Sequence, residues 1–191
     1  MTKKKIVCLG DSLTEGYGVD ISKRWSTLLS EDLNLEIINA GISGDTTSGM
    51  LSRFYETVAR HKPNYVIIMG GTNDIWLNIP DNEIIGNILA MSRHARFYEI
   101  TPIIGIPTTF LNLEDYNDES PFISVSTFSK RLSSFKNLLR KVFIDRNKTI
   151  IDFSSNMSSE MFLEDGLHPN ELGHNQMFLN AKLVFDELGL L

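Results

Sequence analysis

IVCLGDSLTEG, at residues 6–16, is the stretch on which the reading of the fold turns. Ile6, Val7, Cys8 and Leu9 form a short apolar run of the kind found in a strand buried on both faces. Gly10 ends the run, and Asp11 and Ser12 follow where a strand-to-helix turn begins. A serine placed there sits at the carboxyl end of a strand, where open α/β sheets put their ligands. It also lies near a helix amino terminus, whose free N–H groups favour developing negative charge. That placement suits a nucleophile. The same two residues would equally suit a plain helix cap, so the decision falls to the rest of the chain.

Outward from this motif, strand and helix patterns alternate. Trp25, Leu28, Leu29 and Leu33 mark one face of a helix, and Leu35, Ile37 and Ile38 a second strand closed by NAGISGDTT at 39–47. Met50, Leu51, Phe54 and Val58 predict one amphipathic helix, ended by Arg60, His61, Lys62 and then Pro63. YVIIM at 65–69 is a β-branched third strand, followed by Gly70-Gly71-Thr72-Asn73-Asp74. A helix over 82–97 leads to PIIGI at 102–106, the fourth strand. Residues 107–123, with Phe110, Leu111, Tyr116 and Phe122, form a connection longer than most, and such loops are often functional. Within it, 108–123 is expected to line an acyl or alcohol pocket.

Phe128, Leu132, Phe135, Leu139 and Val142 predict a long helix, whose Lys130, Arg131, Lys136, Arg140 and Lys141 read as a solvated face. TIIDF at 149–153 is the fifth strand. EDGLHPNELGH at 164–174 opens a last helix, apolar through Phe178, Leu179, Leu183, Val184 and Leu188. The alternation predicts five parallel strands with helices on both faces, an α/β three-layer sandwich, as a single domain over 1–191.

Composition narrows the function classes. The 191 residues carry a net charge of -6, with no basic stripe of interleaved aromatics, which argues against a nucleic-acid partner. No segment is long and apolar enough for stable membrane insertion. MTKKK runs directly into strand residues without a signal-peptide pattern, so the expected location is cytoplasmic. The single cysteine, Cys8, falls inside the first strand and reads as a small buried hydrophobe.

The polar motifs all follow strands: Ser12 the first, Gly44 the second, Asn73 the third, Asp165 and His168 the fifth. In a parallel sheet those ends share one rim, so the four loops can meet in one crevice. A serine hydroxyl needs a base. His168 suits, since an unperturbed imidazole titrates near ~6.5, and Asp165 can hold its tautomer and stabilise the imidazolium. An acyl-transfer oxyanion needs preorganised donors: the N–H of Ser12, the N–H of Gly44 and the side-chain amide of Asn73 supply three. Singly, each reads blandly: His168 as a loop residue, Gly41 and Gly44 as turn glycines, Asn73-Asp74 as a turn or helix start. His168, His174, Asp165 and Glu171 lack a third strong ligand at metal-site spacing. His174 is the other histidine placed to serve as a base, whereas His61 and His94 sit at helix carboxyl ends and read as structural.

GDSLTEG with Ser12, NAGISGD with Gly44, GTND with Asn73 and DGLHP with Asp165 and His168 resemble, in order and spacing, the four signature blocks of the SGNH hydrolases, the GDSL lipase/esterase family. The resemblance spans residues 10–169. It implies a flavodoxin-like fold and a serine hydrolase needing no metal or organic cofactor, with the nucleophile, oxyanion donors and Asp-His pair argued above. Family members act on lysophospholipids, aryl esters, thioesters and acetylated sugars, so the expected partner is a small-molecule ester. An acyltransferase or a carbohydrate O-acetylesterase would use the same residues, and the oligomeric state, homo-oligomer included, stays open. A binding module of the same fold would need a phosphate loop or an acidic metal cluster at the first strand, and Asp11 alone is a poor cluster.

Overall fold

The computed structural model describes residues 3–111, 121–144 and 149–189. Five parallel strands form one sheet: β1 (Lys5–Gly10), β2 (Glu36–Gly41), β3 (Tyr65–Met69), β4 (Thr101–Ile106) and β5 (Ile150–Asp152). Their spatial order is β2-β1-β3-β4-β5, the order of a flavodoxin-like sheet, whose ligand crevice opens beside β1 and β3 where the winding reverses. Among the described residues, eight α-helices connect and cover the strands: α1 (Ser12–Glu15), α2 (Trp25–Asp32), α3 (Thr47–Ser52), α4 (Phe54–Thr57), α5 (Thr72–Trp76), α6 (Asp81–Phe97), α7 (Val125–Ile144) and α8 (Glu171–Glu187). No described helix is long and apolar enough to cross a membrane.

Successive strand side chains point to opposite faces, so the sheet divides the interior in two. Val7, Leu9, Val66, Ile68, Ile104 and Ile106 face α3, α4, α6 and α7, where Met50, Phe54, Ile88, Phe128, Phe135 and Leu139 pack. Ile6, Cys8, Ile67, Met69, Ile103 and Ile151 face α2 and α8, where Trp25, Leu29, Met177, Ala181 and Phe185 pack. Burying such a side chain stabilises the fold by about 1.5–3 kcal/mol. Cys8 is fully buried and unpaired, and burial pushes its thiol pKa well up, which makes it an inert filler of the second core.

The alternation read from the sequence matches these elements, with four local differences. The helix expected from Met50 to Val58 pauses at Arg53, dividing into α3 and α4, and α5 forms directly after β3 where a turn or helix start was all that could be read. On α8 the buried stripe is His174, Met177, Ala181 and Phe185, at spacings of three and four; Leu179 and Leu183 stand on the opposite, exposed side. On α7, Phe143 joins the core, and the basic residues are not a simple solvated face. Arg131 is held by Asp81, Asn78 and the carbonyl of Ile79; Arg140 is held by Asp152; Lys136 is buried. Of the long connection, residues 112–120, including Tyr116, lie outside the described residues.

Candidate active site

The candidate residues leave the sheet at four strand ends, with Asp165 and His168 sharing the segment between β5 and α8. Gly10 ends β1, and Asp11 caps α1 by accepting the Leu13 N–H at 3.0 Å on Oδ1. Ser12 is therefore the first residue of a short helix, with 8% of its surface exposed. Asp11 is thus the cap of this turn, and the Ser12 hydroxyl is not used for capping.

The partner comes from the far end of the chain. His168 Nε2 lies 2.8 Å from Ser12 Oγ, and its Nδ1 lies 2.6 Å from Asp165 Oδ2. The other oxygen of Asp165 accepts the N–H groups of Leu167 and His168, each at 2.9 Å. Burial opposes ionisation of this carboxyl, but those amides and the His168 ring hold its pKa below the ordinary range. It is thus charged at neutral pH. An ionised Asp165 requires the proton on Nδ1, which leaves Nε2 with its lone pair towards the serine. The ring of Tyr17 stands beside the imidazole, centroids 4.6 Å apart.

Gly44 and Asn73 lie on the segments that follow β2 and β3. Gly44 has a φ of 79° and nothing within 4 Å of where a Cβ would stand, so backbone conformation rather than crowding explains the glycine. Its neighbour Ser43 is tied down by Glu15, whose Oε2 accepts both the N–H and the hydroxyl at 2.6 Å. Asn73 sits in the first turn of α5 and donates one side-chain N–H to the carbonyl of Asp45 at 2.9 Å. An asparagine amide has a second N–H, and Asn73 lines the same cavity as His168. Behind it Asp74 is buried and accepts from the amide and hydroxyl of Thr47.

That cavity measures about 300 Å³ and is lined by Tyr17, Thr72, Asn73, Trp76, Phe110, Phe128, Asp165, Leu167 and His168. Phe110 is both core and wall: it is buried, meets Phe128 edge to face with centroids 5.2 Å apart, and lines the opening. Leu111 is fastened to the His168 loop through its N–H on Gly166 O at 2.8 Å. Phe122, by contrast, is 59% exposed and does not line the cavity. A larger hollow, about 850 Å³, opens at the amino-terminal ends of β3 and β4 beside Asn64, Tyr65 and Thr101, and holds none of the motif residues.

His174 stands apart from this chemistry. It is fully buried, and its Nδ1 accepts the Trp25 N–H at 3.3 Å, capping α2 in place of an N-cap side chain. Burial, with the charges of Arg24 and His168 adding to it, lowers its pKa to about 4. Structural capping, not a reserve base, is its place. Among the described residues no group of three or more His, Cys, Asp or Glu side chains is arranged to hold a metal ion. Sequence reading missed Glu15, Tyr17, Trp76 and Arg53 around the site; of these only Glu15 and Tyr17 carried a signal, standing within five residues of Ser12.

Residues 8–176 match the GDSL-like lipase/acylhydrolase family. An arylesterase of Vibrio mimicus is 38% identical over 93 residues, 46% of this chain and 46% of that protein. Esterase TesA of Pseudomonas aeruginosa is 33% identical over 96 residues, 48% of each. The chain thus spans about half the length of these curated relatives in the matched region. The crystal structure of a lipolytic G-D-S-L family protein from Veillonella parvula superposes with a TM-score of 0.79 at 23% identity, covering 96% of this chain and 98% of that one.

Proposed function

The chain belongs to the GDSL-like lipase/acylhydrolase family, and we propose that it is a serine hydrolase of carboxylic esters that works through an acyl group on Ser12. The observation that carries this reading is the unbroken chain from Asp165 Oδ2 to His168 Nδ1 and from His168 Nε2 to Ser12 Oγ, at 2.6 and 2.8 Å. His168 takes the hydroxyl proton as Ser12 Oγ attacks the ester carbonyl, and Asp165 stabilises the imidazolium that results. Negative charge gathers on the former carbonyl oxygen, and the N–H groups of Ser12 and Gly44 and the free amide N–H of Asn73 receive it. As the intermediate collapses, His168 returns the proton to the leaving alcohol. Water, activated by the same imidazole, then releases the acid from the acyl-serine.

The aromatic wall of the 300 Å³ cavity supports an aryl or short acyl ester as substrate, because Trp76, Phe110 and Phe128 offer apolar surface beside the reacting groups. Acyl transfer to an alcohol would use the same first half-reaction. The test is hydrolysis of p-nitrophenyl acetate, with fluorophosphonate labelling mapped by mass spectrometry. The expected result is turnover with label on Ser12, both abolished in Ser12→Ala. Labelling elsewhere, or undiminished turnover by Ser12→Ala, overturns the assignment.

A further inference from the structure

We infer that Arg53 is a positioning residue for the oxyanion donors, holding in register the three loops that carry them; this rests on the function proposed above. Arg53 stands at the pause between α3 and α4. Its guanidinium reaches three acceptors: the carbonyl of Gly10 at 3.0 Å, the carbonyl of Ala40 at 2.8 Å and Asp45 Oδ2 at 2.8 Å. Gly10 closes β1, two residues before Ser12. Ala40 lies at the end of β2, on the strand that leads to Gly44. Asp45 follows Gly44 directly, and its carbonyl takes the Asn73 amide at 2.9 Å. Each loop that supplies a donor is therefore one short link from the same side chain.

The planar guanidinium presents several N–H groups at fixed angles, so it can set the spacing between these loops as a single point charge cannot. The Arg53–Asp45 pair is nearly buried, with side chains 16% and 13% exposed, so solvent screens it little. Asp45 is also packed against a neighbour with no room to spare. A Cβ built on Gly49 would stand 1.9 Å from Asp45 Oδ1. The carboxylate occupies the space a side chain at 49 would need, and its other oxygen is held by Arg53. It cannot swing aside without releasing that contact. A substitution at Gly49 therefore disturbs the clamp without removing any member of it.

Three variants test the inference: Arg53→Lys, Arg53→Met and Gly49→Ala. For each, kcat and KM on p-nitrophenyl acetate, melting temperature, and inhibition by an arylboronic acid that forms a tetrahedral adduct with Ser12 are measured. Alanine is the better helix former within α3, which offsets only part of the cost of displacing the Asp45 carboxylate, so Gly49→Ala is expected to melt somewhat lower than the wild type while still folding. Its kcat is expected to fall on the order of tenfold and Arg53→Met about 10²-fold, the scale of a sub-ångström to 1 Å misplacement. KM moves little, and the boronic acid weakens in step with kcat, because the loss lies in tetrahedral stabilisation. Arg53→Lys falls between the wild type and Arg53→Met. If Gly49→Ala and whichever Arg53 variants fold keep kcat and boronic-acid affinity within about twofold of wild type, Arg53 is structural only and the inference fails. A wild-type protein with no Ser12 labelling overturns the function itself, an outcome visible before any variant is made.

Discussion

At the residue scale, the polar groups at the crevice differ in what else they do. Asn73 spends one amide N–H on Asp45 O and is not part of the hydrophobic core, so under the function proposed above its removal bears mainly on the transition state. Asn73→Ala is expected to lower kcat by about 10²–10³ with a much smaller change in KM, the size seen for one lost oxyanion donor. A normal kcat with a raised KM would make Asn73 a substrate-binding residue instead. Asp165 differs because both its oxygens are engaged, one by backbone amides and one by the imidazole. Asp165→Asn keeps an acceptor for the amides while its NH₂ group disfavours the tautomer the base needs. The expected loss in kcat approaches the roughly 10⁴ of the serine-protease template. His168→Ala, which removes the base, is expected to lose at least as much, and activity comparison at constant melting temperature checks both.

At the scale of elements, the segment after β4 divides its labour. Phe110 packs into the core with Phe128 and also walls the cavity, whereas Phe122 is largely exposed. Phe110→Ala is expected to lower stability by about 3–5 kcal/mol, as for other buried phenylalanines, and to shift the preferred acyl or aryl size of p-nitrophenyl esters upward. Phe122→Ala, at a largely exposed position, is expected to lower the melting temperature less than Phe110→Ala does. A chain-length profile unmoved by Phe110→Ala would confine that ring to packing. α2 shows a different dependence, since its first N–H is satisfied by His174 on α8 rather than by a local cap.

At the scale of the whole molecule, two buried groups give opposing responses to pH. His174 is depressed to about 4 from 6.5, so the unfolded chain holds the extra proton between those values; its contribution to stability is full above ~6.5 and is lost as pH falls towards 4. Asp11 is raised by burial, against the Leu13 amide and with the charges of Asp74 and Asp45, to about 7 from 3.8. The folded chain therefore holds that proton, and its contribution is lost as pH rises from ~4 to 7. The terms oppose over one window. Melting temperature followed from pH 4 to 7 is expected to tilt downward towards neutrality in His174→Gln, relative to wild type, and upward in Asp11→Asn. Equal slopes in all three proteins would mean that neither group titrates differently on folding.

Period and punctuation, both local properties, were enough to read the strand–helix alternation, the parallel three-layer fold and the chemical types of Ser12, Gly44, Asn73, Asp165 and His168. A strand run ending in glycine predicts a turn, and a turn at a strand's carboxyl end predicts a rim, without knowledge of any distant partner. The reach of the Arg53 side chain was not legible, because its acceptors at Gly10 and Ala40 are brought together only by neighbouring strands. Nor was the duty of His174, whose partner Trp25 lies 149 residues away. The same holds for the buried stripe of α8 and for the bonds that Arg131 and Arg140 make. Apolar spacing offers a helix two plausible faces and charge offers it solvent, and only the packing of α7 and α8 against their particular neighbours in the fold selects among them.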